Sequence, residues 1–202
     1  MDFPRMVDVV PEARRGVAVV EHFEIDKHTA EFSRMRAAIG HSDEWVDEGR
    51  HAKLYVDGAL VMSDTNMERD SNRPVVRAAR GQVLVAGLGL GMILHPILAK
   101  PEVEHVVVIE KSQDVIDIVA PTLAPTLSTK RLSIICADVF GWKPPKGAKW
   151  DVIYFDIWAS ISTDALEDMD KLHRRFRSRL KAGGWMDSWK RHQLMRERRR
   201  GW

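Results

Sequence analysis

Four short stretches carry residues whose types and order suit the binding of a polar ligand. In Gly87-Leu88-Gly89-Leu90-Gly91, behind the apolar run VLVA, the missing side chains let backbone N–H groups approach a ligand at the start of a helix. The same pattern also serves a tight turn or a close helix–strand contact. Glu110 ends HVVVIE, 23 residues after Gly87, and Lys111 follows it. A carboxylate there can accept hydrogen bonds from two ribose hydroxyls, or simply stay solvated at a strand end. Asp138 closes LSIICAD, where it can accept from the exocyclic amine of a base such as adenine while Val139 or Phe140 lines the ring. Asp156 in IYFDIW can take a proton from an attacking group, orient an amino group, or cap the next helix. Trp158 can stack on a flat or cationic partner or pack under a loop, and Ser160, Ser162 and Asp187 are further rim candidates.

Each of these residues stands at the end of an apolar run, which defines the scaffold they need. The runs VLVAG (83–87), HVVVIE (105–110), LSIICAD (132–138), DVIYFDI (151–157) and GWMDSW (184–189) alternate with helical stretches near 91–100, 112–120 and 164–181. The runs are nearly continuous instead of alternating, as parallel strands covered on both faces require. The fold class predicted is α/β, a doubly wound, Rossmann-like, mostly parallel sheet. In such sheets ligands bind outside the carboxyl ends of the strands, where all four stretches fall. In the last helix Leu166, Met169, His173, Phe176 and Leu180 share one face, which should pack against the sheet.

Upstream, VAVVEHFEI (17–25) reads as a strand, Asp26 as the cap of a helix reaching Ile39, and Asp57-Gly58 in HAKLYVDGALVMS as a hairpin turn. The expected organisation is an α+β cap over 1–75, the cofactor-type sheet over 76–189, and a basic tail over 190–202. Of the 202 residues 45% are hydrophobic and 30% charged, enough for one sizeable core. No stretch approaches the roughly 18 apolar residues of a membrane span, and the start lacks the order of a signal peptide, so a cytoplasmic protein without membrane attachment is expected. Cys136, the single cysteine, is expected to be a buried small hydrophobe. His41, His51 and His95 show no paired ligand spacing, and no metal site is expected. The net charge of +2 hides an asymmetry, because from Lys171 onward 12 Lys and Arg stand against 2 acids.

Taken together, the order strand–glycine loop, strand–Glu, strand–Asp, strand–Asp resembles the class I S-adenosylmethionine-dependent methyltransferases over about residues 80–190. Gly-x-Gly-x-Gly fits them better than the Gly-x-Gly-x-x-Gly of NAD enzymes, whose third glycine would fall on Met92. Val85 before the loop and LYVDG (54–58) are similar to the spermidine-synthase-like branch. The departures are specific. GLGLG replaces GGGDG, so Leu90 stands where that branch has an acid; Asp70-Ser71-Asn72 replaces Tyr-His-Glu; and Asp156-Ile157-Trp158-Ala159 keeps only the first acid of Asp-Ser-Ser-Asp. Without those anionic contacts a polyamine should bind poorly.

The resemblance implies that S-adenosylmethionine is held by Gly87, Leu88, Gly89, Gly91, Glu110, Lys111, Asp138, Val139 and Asp156. Asp156 would be the catalytic residue, and Trp158 and Ser160 would face a small-molecule acceptor. Two alternatives stand beside methyl transfer: aminopropyl transfer from decarboxylated S-adenosylmethionine, and a non-catalytic binding protein whose basic tail, with Arg196, Arg198, Arg199, Arg200 and Trp202, contacts nucleic acid. The sheet is expected to stop at five strands. Its open last edge should then be covered by the tail, the cap or a second subunit in a homodimer.

Overall fold

Two sheets of opposite character divide the chain. The computed structural model describes residues 3–40, 45–125, 127, 129–159 and 162–200. The first sheet is antiparallel, in the order β1 (Ala13–Arg15), β2 (Ala18–Ile25), β3 (Gly49–Val56), β4 (Ala59–Ser63). Between β2 and β3 runs α1 (Lys27–Ile39), capped by Asp26, whose carboxylate accepts from the Thr29 amide. The β3–β4 turn is made by Asp57 at φ +52° and Gly58 at φ +75°. A two-residue turn with positive φ at both positions matches the twist of the strands it joins.

Next, α2 (Asn66–Ala78) leads into the second sheet, so the expected boundary at residue 75 falls inside a helix. Along the chain follow β5 (Gly81–Ala86), α3 (Leu94–Leu98), β6 (Val103–Glu110), α4 (Gln113–Leu123), β7 (Leu132–Cys136), β8 (Trp150–Phe155), α5 (Ala165–Phe176), β9 (Leu180–Ser188) and α6 (Arg191–Arg200). All pairings in this sheet are parallel, in the order β7-β6-β5-β8-β9. The chain thus winds outward from β5 in both directions, and the point of reversal lies between β5 and β8. Above it the crossovers leave on opposite faces, which opens the crevice where ligands bind.

The core explains why β5 reads as an unbroken apolar run, since Val83, Leu84, Val85 and Ala86 are each 0% exposed. Val83 and Val85 face a cluster shared with the cap (Val20, Leu54), α2 (Val75) and α4 (Val115). Leu84 and Ala86 face Phe155, Leu172 and Phe176. The cap therefore has no separate core; one apolar layer runs from its strands into the sheet. At the end of α2, the Lys100 ammonium donates to the carbonyls of Val76, Arg77 and Ala79 at 3.0, 3.2 and 2.6 Å, closing the helix.

Two expectations are corrected and one is met. Cys136 is exposed, because β7 is an outer strand covered less completely than its neighbours. On α5, His173 faces the sheet as expected, its ring against Phe155 of β8 at 5.7 Å and hydrogen-bonded to the Ser188 hydroxyl of β9 at 2.9 Å, and Leu172 is buried as well. Residues 191–200, expected as a tail, form α6, which buries Leu194 against Leu166 and Met169 of α5. Among the described residues no helix is long and apolar enough to cross a membrane.

Candidate functional site

The glycine loop turns sharply at positions with no room for a side chain. Gly87 sits at φ +98°, and a Cβ there would lie 2.0 Å from the Asp156 carbonyl oxygen. Gly89, at φ +52°, is covered by the hairpin, so that its Cβ would meet Met62 Sδ at 2.2 Å. That sulfur accepts from the Leu90 amide at 3.0 Å. Gly91 differs from the other two. It faces Leu123 and Val119 of α4, with a Cβ only 2.8 Å from Leu123 Cδ2, and serves helix packing behind the loop.

Glu110, at the end of β6, lies beside this loop. Its carboxylate accepts from the amides of Leu88 and Ser112, each at 2.9 Å. These two bonds fix the carboxylate's direction without using all its lone pairs, leaving acceptor capacity for a pair of hydroxyls. Beyond β7, the Asp138 side chain is exposed and accepts from the Phe140 amide at 2.8 Å, which bends the chain so that Val139 and Phe140 follow it along the same wall.

A cavity of about 440 Å³ joins these ends. Gly87, Leu88 and Gly89 line it, together with Glu110, Lys111, Asp138, Val139, Asp156 and Trp158. Of the residues predicted from sequence, Gly91 lies outside the lining, as do Asp187 and Ser162, and Ser160 is outside the described residues. Trp158 lines the cavity and packs against two apolar clusters.

The far end of the cavity is acidic, and there the sequence reading was incomplete. Glu68 of α2 lines it beside Asp156, Met62 and Trp189. Glu68 is 8% exposed, and its proton is held up to about pH 8 by burial and then by the Asp156 charge, against the opposing pull of Lys190 and the Ser63 amide. Burial also pushes Asp156 up to about 7. Two contacts carry α2 to this place: the Tyr154 hydroxyl donates to Asn72 Oδ1 at 3.0 Å, and the Trp189 indole donates to the Ser71 hydroxyl at 2.9 Å. Glu68 lies one turn before Asn72 and on the same buried side. A carboxylate on the apolar face of a helix is the signal that could have marked it. Glu68 of α2 thus places a second acid beside Asp156.

This pair should make stability depend on pH in a defined direction. Glu68 ordinarily titrates at 4.5, so between there and about 8 the folded chain keeps a proton that the unfolded chain has lost. Stability is therefore fullest below pH 4.5 and falls as pH rises through 8. In Glu68→Gln the melting temperature should lose much of the wild-type decline between pH 5 and 8.5, and at pH 8.5 the variant should melt higher. Parallel profiles for the two proteins would show that Glu68 is not held protonated.

No protein-family model matches the chain, and no curated protein matches its sequence. Among solved structures it is similar to spermidine synthase from Thermotoga maritima, at 17% identity over 84% of this chain and 53% of that one, with a TM-score of 0.49. It is also similar to the CcbJ methyltransferase from Streptomyces caelestis, at 18% identity over 57% and 46%, TM-score 0.47. A third is M. capricolum TrmK in complex with S-adenosylhomocysteine, at 7% identity over 54% and 46%, TM-score 0.43. The chain spans about half the length of these structures.

Proposed function

We propose that the chain transfers a methyl group from S-adenosylmethionine to an amine nitrogen held between Asp156 and Glu68. The observation that carries this reading is the division of one cavity into two chemically distinct ends. At one end, Glu110 would take the ribose hydroxyls, Asp138 the adenine amine, and Val139 and Phe140 the ring face. Gly87, Leu88 and Gly89 would pass along the methionine part, with Lys111 at the rim. Bound there, the cofactor would supply an already activated methyl group.

The residues at the acidic end do the remaining work. At neutral pH Asp156 supplies the negative charge and Glu68 a neutral acid whose carbonyl oxygen accepts, a pair that suits an amine over an anionic acceptor. Trp158 and Trp189 line the same cavity and can cover the face of such a group. Asp156 takes the proton that the nitrogen sheds as its bond to carbon forms, while Glu68 orients the amine. A base whose proton leaves near pH 7 suits this task, being free at neutral pH and still basic enough to accept.

Incubating the protein with methyl-labelled S-adenosylmethionine and matched panels of amines, phenols and carboxylic acids tests the reading. Label should pass to an amine, with Glu68→Gln raising KM more than it lowers kcat. Transfer to a carboxylic acid or a phenol in preference would overturn the assignment. Aminopropyl transfer remains the second reading, because the same two acids would also suit the free amine of decarboxylated S-adenosylmethionine.

A further inference from the structure

On the other side of the loop that carries Asp138, Val139 and Phe140 there is a second concavity, of about 570 Å³. We propose that it binds a nucleic-acid strand through backbone phosphates, using Lys143, Lys146, Arg175, Ser178 and Arg179. The proposal is independent of the methyl-transfer reading.

No carboxylate lines this concavity. Residues 142–149 contain three lysines and no acid. Lys143 and Lys146 are exposed and, among the described residues, have neither a hydrogen-bond nor an ion-pair partner. The two arginines are built in. Arg175 donates to the carbonyls of Val139, Phe140 and Trp142, and Arg179 donates through Nη1 to those of Pro145 and Ala148 at 3.2 and 3.4 Å. Neutral carbonyls leave both guanidinium charges uncompensated, so the loop is fixed by the same groups that make its surroundings positive. Three cations elsewhere on the carboxyl-terminal elements are neutralised, Lys171 by Glu167 and Asp168, Lys181 by Asp151 and Arg191 by Asp170.

The arrangement favours a chain of phosphates over a single one. Arg175 lies in the last turn of α5 and Arg179 ends the 3-10 turn after it, four residues on and roughly 6–8 Å along the axis. Successive phosphates of a strand advance by about 3.4 Å along its axis, so these cations reach more than one. The exposed Arg174 and Arg177 extend the positive surface along α5 and its end. Apart from the buried Phe176, the lining offers no ring on which a base could stack, so contacts would be to the backbone and tolerant of sequence.

The test is fluorescence anisotropy of a labelled 20-nucleotide uridine RNA titrated with the full chain between 50 and 200 mM salt. Lys143→Ala/Lys146→Ala, two exposed changes whose folding is checked by thermal melting, should weaken binding about tenfold. The slope of log affinity against log salt should fall by about 1.4, or about 0.7 for each lost phosphate contact. Arg198→Ala/Arg199→Ala on α6 should change affinity by less than twofold. Absence of binding at 50 mM salt would overturn the proposal. So would binding lost only in the α6 variant, or inorganic pyrophosphate displacing the RNA at equal concentration.

Discussion

Asp156→Asn is expected to lower kcat for methyl transfer by about 10²–10⁴-fold, the usual contribution of a positioned general base. Affinity for the cofactor should change by only a few-fold, because asparagine keeps the shape and removes only the proton acceptor. The sign of the pH effect follows from burial, which holds the Asp156 proton to about pH 7. Below that value the base is occupied and turnover should fall; above it turnover should rise to a plateau. Glu68, titrating near 8, still carries its proton when Asp156 loses its own, so the first step belongs mainly to Asp156. In the asparagine variant the residual rate should lose this limb. A limb near pH 7 that survives the substitution would assign the base to another group.

Gly87→Ala should have the largest structural effect of any single methyl group. Its φ of +98° lies where L residues are strained by about 1–3 kcal/mol. The new Cβ would also come 2.0 Å from the Asp156 carbonyl, a backbone atom that cannot swing aside. The Asp156 amide donates to the Ala86 carbonyl at 2.8 Å, and β5 and β8 are in register through Ala86 and Phe155. Relief therefore requires parting the two central strands. A loss of about 4 kcal/mol, at the upper end for single substitutions, would lower Tm by roughly 10 °C in a chain of this size. Gly58→Ala provides the comparison. Gly58 has a similar φ of +75° but nothing within 4 Å of a Cβ, so that variant should show the backbone strain alone. Equal losses in the two variants would mean that the contact between Gly87 and Asp156 yields easily.

The parallel sheet was legible in sequence because burial on both faces leaves a local trace, an unbroken apolar run ended by a glycine or an acid. The hairpin was legible for a similar reason, since Asp57-Gly58 meets a backbone demand that few other pairs can meet. Glu110, Asp138 and Asp156 followed once the strands were placed, because each ends its strand or follows it within two residues. Glu68 was not found, since the face of α2 that carries it becomes part of the cavity only through Asn72 on Tyr154 and Ser71 on Trp189, contacts 82 and 118 residues apart in sequence. Gly91 shows the converse limit. Its spacing matched a ligand loop, yet its close neighbour is Leu123. The α6 helix was missed because its composition is dominated by arginine, and a few apolar residues, Leu194 foremost, hold it to α5.

The most direct test is titration calorimetry of the full chain with S-adenosylmethionine, S-adenosylhomocysteine and decarboxylated S-adenosylmethionine, each repeated with Glu110→Ala. The first two ligands should bind, and the variant should lose about 10²-fold in affinity, as expected for charge-assisted hydrogen bonds worth about 1.5–3 kcal/mol each. Preference for the decarboxylated form would contradict methyl transfer in favour of aminopropyl transfer. Failure to bind any of the three would contradict the assignment of the cavity itself.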